Sequence, residues 1–238
     1  MGAEIPDDWR AAAASALEWW ADAGVDLLVE EEPRDWLAVP ARAVPIAEPA
    51  AASDALPDRW DAFAAWRVGA GAPEAGWRGT HLAASGPADA QVMVLLDCPD
   101  RDDAEEERLL GGTAGRLFDR MLAAIGLTRD AVHLASVCGK RPVAGRTPRE
   151  DEARLAAIAQ HHVELVAPRR LLLLGDAATR AMLATNTQAA RGSLHPFAAN
   201  GGATEIVASF HPRFLLEKPG AKAEAWKDLQ LLIGGLNP

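Results

Sequence analysis

Val92-Met93-Val94-Leu95-Leu96-Asp97-Cys98-Pro99-Asp100 is the stretch that decides the fold. Its apolar run is too short for a helix, lacks polar alternation, and ends at a carboxylate followed by a proline. A strand reads this way when both faces are buried, as in a parallel sheet covered by helices. Three further runs share the character: Ala131 to Val137, Leu171 to Leu174, and Ile206 to Phe210. Between them the period becomes helical. Leu117, Phe118, Met121, Leu122 and Ile125 fall on one face of residues 113–125. Thr147-Pro148-Arg149-Glu150 has the form of a capping box with proline at the first helical position, opening a helix to about Val166. Asp176 can cap a helix reaching about Leu183, and Trp226, Leu229 and Ile233 mark a last one. This alternation predicts an α/β fold, three layers with a central four-stranded parallel sheet between helices.

Upstream of that pattern, Trp9, Ala13, Ala16, Leu17 and Trp20 recur at helical spacing, and Glu30-Glu31-Glu32-Pro33 closes the unit. Residues 39–57 are dominated by alanine and proline, a composition that favours an extended linker. The expected organisation is a helical leader over 1–38, a linker over 39–57 and one domain over 58–238. Trp60, Phe63 and Trp66 form a short second stripe. Six of the eight tryptophans precede residue 67, which suits either core anchors or a leader that docks a protein partner.

Composition narrows the class. The 238 residues are 49% hydrophobic and 24% charged, an ordinary globular balance. No apolar run approaches the roughly 20 residues of a membrane span. The start lacks a secretory signal, and Pro6 breaks the myristoylation pattern. A cytoplasmic protein without a membrane partner is expected. Cys98 and Cys138, the only cysteines, exclude a disulfide framework and any cluster held by four thiolates of this chain. No His/Cys spacing suits zinc, since His161 and His162 are adjacent and fall on different helix faces. The expected metal and cofactor content is none. Net charge is −10, but residues 1–111 carry 8 basic and 23 acidic groups whereas residues 112–238 carry 16 and 11. Only the second half could accept a polyanion.

Ligands of such sheets bind outside the carboxyl ends of the strands. That rule picks out Asp97 to Asp100, Ser136 to Arg146, Gly175-Asp176 and His211-Pro212. Asp97 or Asp100 could activate water or merely cap a turn. His211 could donate to a developing anion or be structural. Lys140-Arg141-Pro142 to Arg146-Thr147-Pro148 is a basic, proline-held loop suited to phosphates. Gly111-Gly112-Thr113-Ala114-Gly115 enters a helix as a possible anion seat, without the lysine of a P-loop or the dinucleotide fingerprint.

In their order and spacing, Val92 to Asp100, EERLLGGTAGRLFDRMLAAIGL, the Lys140 to Pro148 loop, LLLLGDAATRAML, Arg191-Gly192 and SFHPRFLLEKPGAKAEAWKDL resemble the iron–sulfur type of uracil-DNA glycosylase, the family-four branch. The resemblance covers residues 90–232 and implies the same four-stranded sheet. It also implies departures. The family's Gly-Glu-Ala-Pro-Gly motif matches Leu96-Asp97-Cys98-Pro99-Asp100, so the water-orienting glutamate becomes Asp97 and a glycine becomes Asp100. The base-stacking aromatic matches Leu110, and the asparagine that reads the uracil edge matches Ser136. Two of the cluster cysteines match Lys140 and Ala156. The histidine-proline motif is kept as His211-Pro212.

The resemblance thus implies catalytic roles for Asp97, Asp100 and His211. It implies a base pocket from Cys98, Pro99, Leu110 and Ser136. Arg141, Arg146, Arg191 and Arg213 are the expected DNA ligands, with weak, salt-sensitive binding. A lost base stack costs about 1–3 kcal/mol, and a 1 Å misplacement of a reacting group about 10²-fold. Efficient uracil excision is therefore not expected. The expected function is a divergent DNA glycosylase of base-excision repair with weakened or altered excision. The alternative is a non-catalytic member that binds DNA or protein. A nucleotide enzyme on a similar sheet would rest only on fold and the glycine-rich turn.

Overall fold

A computed structural model describes residues 14, 15, 18 and 19, and residues 55–236 apart from Ala144, Arg146, Asn200 and Gly201. The chain divides into two compact units, 1–52 and 53–238, and the sheet with its helices belongs to the second. Apart from residues 14, 15, 18 and 19, which are helical, the leader lies outside the described residues, as does most of the alanine- and proline-rich linker.

Four parallel strands occupy the apolar runs: β1 (Val92–Leu96), β2 (Val132–Ser136), β3 (Arg170–Leu174) and β5 (Gly202–Ser209). A fifth strand, β4 (His195–Ala199), pairs antiparallel with β5, and the order across the sheet is β2-β1-β3-β5-β4. The sequence reading missed β4 because His195-Pro196-Phe197-Ala198-Ala199 is short and contains proline, which a strand tolerates at a sheet edge. Every residue of β1 and β3 is buried, and their ends are in phase: Leu96 pairs with Ser136 and with Leu174, and Leu174 pairs with Ser209.

Alternation of side chains sorts the core into two layers. Val92, Val94 and Leu96 face α2 (Gly112–Ala124) and α7 (Lys222–Ile233), meeting Phe118, Leu122, Leu229 and Leu232. Met93 and Leu95 face α3 (Arg149–Val166) and α4 (Asp176–Leu183), meeting Leu155, Val163, Ala178 and Met182. The second unit also contains the α-helices α1 (Trp60–Val68), α5 (Thr187–Ala190) and α6 (Pro212–Glu217). Among the described residues, no helix is long and apolar enough to cross a membrane.

Trp60 and Phe63 pack around a buried histidine pair. His133 Nδ1 lies 3.0 Å from the Pro87 carbonyl, and its Nε2 lies 2.9 Å from His162 Nε2. His133 therefore donates from Nδ1 and accepts at Nε2 from His162, and burial holds both rings below the usual histidine range. His161 turns the other way, to the Pro57 carbonyl at 2.8 Å, as the sequence implied.

Three helix signals resolve differently from the sequence reading. The Thr147 capping box does not form, because the Thr147 hydroxyl contacts Cys138 Sγ at 3.3 Å and Pro148 takes the cap position. Gly175, not Asp176, caps α4, and the Asp176 carboxylate accepts from the Thr187 N–H at 2.9 Å. In α7 the buried face runs through Ala225, Asp228, Leu229 and Leu232, leaving Trp226 41% exposed. The shift arises because Asp228 is wholly buried, accepting from the Ser209 hydroxyl at 2.7 Å and from Arg191 Nε at 2.8 Å.

The glycine-rich turn is explained by packing. Asp103 accepts the N–H groups of Leu110 (3.1 Å) and Gly111 (2.7 Å), and Glu106 accepts that of Gly112 (2.8 Å). Arg129 binds the Leu109 and Leu110 carbonyls, and Leu110 sits in the left-handed region at φ 53°. The chain's own carboxylates thus take these three donors. A Cβ at Gly115 would overlap the Leu110 carbonyl oxygen. Helix propensity favours Gly115→Ala by about 1 kcal/mol, whereas forced overlap in a packed site costs about 1–3 kcal/mol. Gly115→Ala is expected to lower the urea midpoint at unchanged m-value; a raised midpoint would refute this packing.

Candidate active site

Strand parity divides the residues of the first motif. Asp97 continues the row of Met93 and Leu95 and turns toward the α3–α4 layer, where its Oδ1 accepts from the Ala178 N–H at 2.7 Å. Gly175, at φ 115°, leaves room for it, since a Cβ there would overlap the Asp97 carboxylate. Burial pushes the Asp97 carboxyl up to about 6, against the stabilising effect of the Ala178 N–H. Asp97 and Cys98 line a groove of about 930 Å³ that also holds Trp77, Arg78, Thr147, Arg149 and Arg180.

Asp100 lies on another wall. It shares a pocket of about 490 Å³ with His211, Arg213, Arg141, Thr113 and Phe214. Asp100 Oδ1 accepts from Arg213 Nη1 at 2.8 Å and from the Arg101 N–H at 2.8 Å, and Arg141 Nη1 lies 3.6 Å away. The Asp100 N–H is held by Asp103 at 2.8 Å. His211 caps α6, its Nδ1 accepting from the Arg213 N–H at 3.2 Å. The neutral ring therefore carries its proton on Nε2. Burial pushes His211 down to about 4; Asp100 opposes this and Arg213 adds to it. At neutral pH the side chain is an uncharged Nε2–H donor.

The structure brings Asp100, His211, Arg141 and Arg213 together and leaves Asp97 in the other groove. The four expected base-pocket residues do not converge. Leu110 is 1% exposed, packed in the α2–α7 core rather than in a pocket wall. Its side chain is set by the kink that Asp103 and Arg129 impose. Ser136 donates its hydroxyl to the Cys138 carbonyl at 2.7 Å, because the extended ladder after β2 places that carbonyl beside it. Cys98 lines the Asp97 groove, and Pro99 offers its carbonyl to Arg141 Nη1 at 2.9 Å. Burial raises the Cys98 thiol to about 11 and the Cys138 thiol to about 12, so both are protonated.

The arginines separate likewise. Arg191 is not at the rim: it pairs with Asp228 and Glu224 and lies 4.0 Å from the centre of the Phe210 ring. Arg146 lies outside the described residues. Lys140 donates to the Ala75 and Trp77 carbonyls at 2.8 and 3.1 Å and is no phosphate ligand. Asp103, which holds the Asp100 turn, and Arg129, which holds the Leu109–Leu110 turn, were not singled out from the sequence. Asp103 lies in the acidic run Asp102 to Glu107, whose other acids are exposed; only its burial sets it apart.

A family model described as the uracil DNA glycosylase superfamily matches residues 83–230, spanning the sheet, the His211 pocket and the Asp97 groove apart from its Gly76 to Arg78 wall. The chain belongs to this superfamily. It is 28% identical over 167 residues to a type-4 uracil-DNA glycosylase of Pyrobaculum aerophilum, covering 67% of this chain and 85% of that protein. A type-4 uracil-DNA glycosylase of Archaeoglobus fulgidus is 25% identical over 152 residues, 61% and 76% of the two chains. One from Thermotoga maritima is 25% identical over 136 residues, 55% and 69%.

The iron–sulfur cluster implied by the resemblance within the superfamily does not fit these residues. Lys140, at one cysteine position, is bonded to two backbone carbonyls. Ala156, at another, packs with Trp77 against the α3–α4 core. Buried Glu74 pairs with Arg67 and accepts the Gly139 N–H at 2.8 Å, while Arg67 Nη2 binds the Val137 carbonyl at 2.6 Å. Protein contacts thus tie the 67–77 segment to the end of β2. Among the described residues, no group of three or more His, Cys, Asp and Glu side chains could hold a metal ion. The purified protein is expected to be colourless; stoichiometric iron with acid-labile sulfide would contradict this.

The raised Asp97 carboxyl carries a pH signature. Its folded value of about 6 exceeds the ordinary 3.8, so the folded chain binds this proton more tightly than the unfolded chain. Its stabilising contribution is complete below the ordinary value, falls as pH rises through about 6, and is lost above. Asp97→Asn keeps an acceptor for Ala178. It should be more stable than the parent at neutral pH by up to about 3 kcal/mol, at about 1.4 kcal/mol per unit, with the difference vanishing near pH 4. Urea titrations across that range would read it; a destabilised variant at neutral pH would refute it.

Proposed function

We propose that this chain is a DNA glycosylase-class protein of base-excision repair whose action on uracil is weak. Membership of the superfamily supports the class, together with the relatives named type-4 uracil-DNA glycosylase. The observation that carries the reading is the His211 pocket, where a neutral imidazole N–H and a carboxylate line one cavity. Hydrolysis of an N-glycosidic bond breaks C1′–N, leaves the electron pair on the base, and adds water at C1′. His211 Nε2–H can donate to the departing base. Among the described residues, Asp100 Oδ2 has no hydrogen-bond partner and can accept from the attacking water. Arg213 and Arg141 hold that carboxylate and offset its charge, which would otherwise oppose an anionic leaving base.

The same geometry supports the reading of weak excision. Leu110 is withdrawn into the core, Ser136 is committed to its own backbone, and Asp97 faces another groove. Those departures also favour a second reading, a DNA-binding member without catalysis.

Incubation with single-stranded and duplex oligonucleotides containing uracil, hypoxanthine or oxidised bases, read as alkali-labile sites, separates the two. Uracil excision at least about 10²-fold below that of an intact-motif relative is expected, lost on His211→Ala and on Asp100→Asn but kept on Asp97→Asn. Turnover at the relative's rate would overturn the weakened reading. Absence of excision from every substrate would favour the non-catalytic one.

A further inference from the structure

The strand order places a second site beside the His211 pocket. The chain passes from β1 outward to β2, then returns across β1 to β3, so the order reverses between β1 and β3. The connection after β1 leads to α2 on one face, and β3 runs directly into α4 on the other. A crevice must open where two such connections part, and ligands of open α/β sheets bind there. In this protein the crevice is the groove of about 930 Å³ floored by Asp97, Cys98, Asp176 and Ala177. Its volume is at the upper end of the roughly 300–1,000 Å³ of ligand-sized sites.

Its walls differ in charge state from the neighbouring pocket. Arg141 and Arg213 are both drawn to Asp100. Arg78, Arg149 and Arg180 come from three separate segments, are exposed, and among the described residues make no hydrogen bond or ion pair. The carboxylates of the groove are Asp97, Asp176 and Glu152. Asp97 is turned to the Ala178 N–H, and Asp176 is held by the Thr187 N–H. Three unpaired guanidinium groups in one groove are unusual for a chain of net charge −10. A polyanion would meet them without first breaking an ion pair. The half-buried Trp77 indole adds an aromatic wall beside them, as single-strand channels use for base stacking.

We propose that the β1/β3 groove seats the phosphodiester backbone of a single nucleic-acid strand on Arg78, Arg149 and Arg180. This rests on the reading that the chain acts on DNA, and it moves the main phosphate contacts from the expected Arg141, Arg146, Arg191 and Arg213 to a different set. The strand then reaches the neighbouring His211 pocket along the same sheet end.

The test is fluorescence anisotropy with a labelled, undamaged single-stranded oligonucleotide over a series of salt concentrations. The variant Arg78→Glu/Arg149→Glu/Arg180→Glu is compared with Arg141→Glu/Arg213→Glu. Arg78→Gln/Arg149→Gln/Arg180→Gln guards against effects of added negative charge. The groove arginines make no described bond, so both groove variants should keep the parent melting temperature. Loss of three contacts should weaken binding at least about tenfold at low salt and flatten the log K against log salt slope by about 2, at about 0.7 per phosphate. Unchanged affinity and slope in both groove variants, with loss in the Arg141/Arg213 variant, would overturn the placement while leaving DNA binding intact. An unmodified protein that fails to bind at any salt would overturn both the groove and the DNA reading beneath it.

Discussion

Four parallel strands end in one row, and that register governs everything at the functional rim. Leu96, Ser136, Leu174 and Ser209 are aligned across β2, β1, β3 and β5. The residues that come after them leave the sheet along a single edge. β1 and β3 are buried on both faces and supply the rigid floor that holds this edge. Alternation then assigns each residue to a side. Asp97 falls with Met93 and Leu95, so its carboxylate meets the start of α4, while His211 and the Asp100 turn face a different cavity. Two acids three residues apart in sequence therefore belong to two different environments.

Those environments change what the acids are. Asp97 is pushed up by burial and is held at the start of α4 by the Ala178 N–H. Asp100 is held between arginines, and its backbone is held by Asp103. The His211 ring is fixed as an Nε2–H donor because the Arg213 N–H occupies Nδ1. The neutral N–H donor suits stabilisation of a developing anion because it need not reorganise as charge moves, and the two arginines offset the opposing charge of Asp100.

A buried carboxylate–guanidinium pair and a lysine bonded to carbonyls hold the segment before the sheet in place. Replacing a buried ion pair by apolar groups is often neutral, but removing one partner strands the other at a cost of about 3–5 kcal/mol. Glu74 and Arg67 therefore act as an obligate couple that ties the 67–77 segment to the end of β2. Trp77, carried by that segment, forms part of the groove wall.

The apolar runs from Val92, Ala131, Leu171 and Ile206 determined the four parallel strands by themselves, because strands buried on both faces must be continuously hydrophobic. The strand-end rule likewise brought Asp97, Asp100, Arg141 and His211 to one edge. Parity along β1 was also written in the sequence and could have placed Asp97 apart from His211, had the layers on each face been known. The sequence did not reveal β4, whose proline hides an edge strand, or the buried face of α7, where Asp228 stands among apolar residues. Nor did it separate Arg191, Lys140, Arg141 and Arg213 from Arg78, Arg149 and Arg180. An arginine's charge is set by its residue type, but whether that charge is available depends on which carboxylate or carbonyl folding brings within reach. Only the tertiary structure decides that, because those partners lie tens of residues away along the chain.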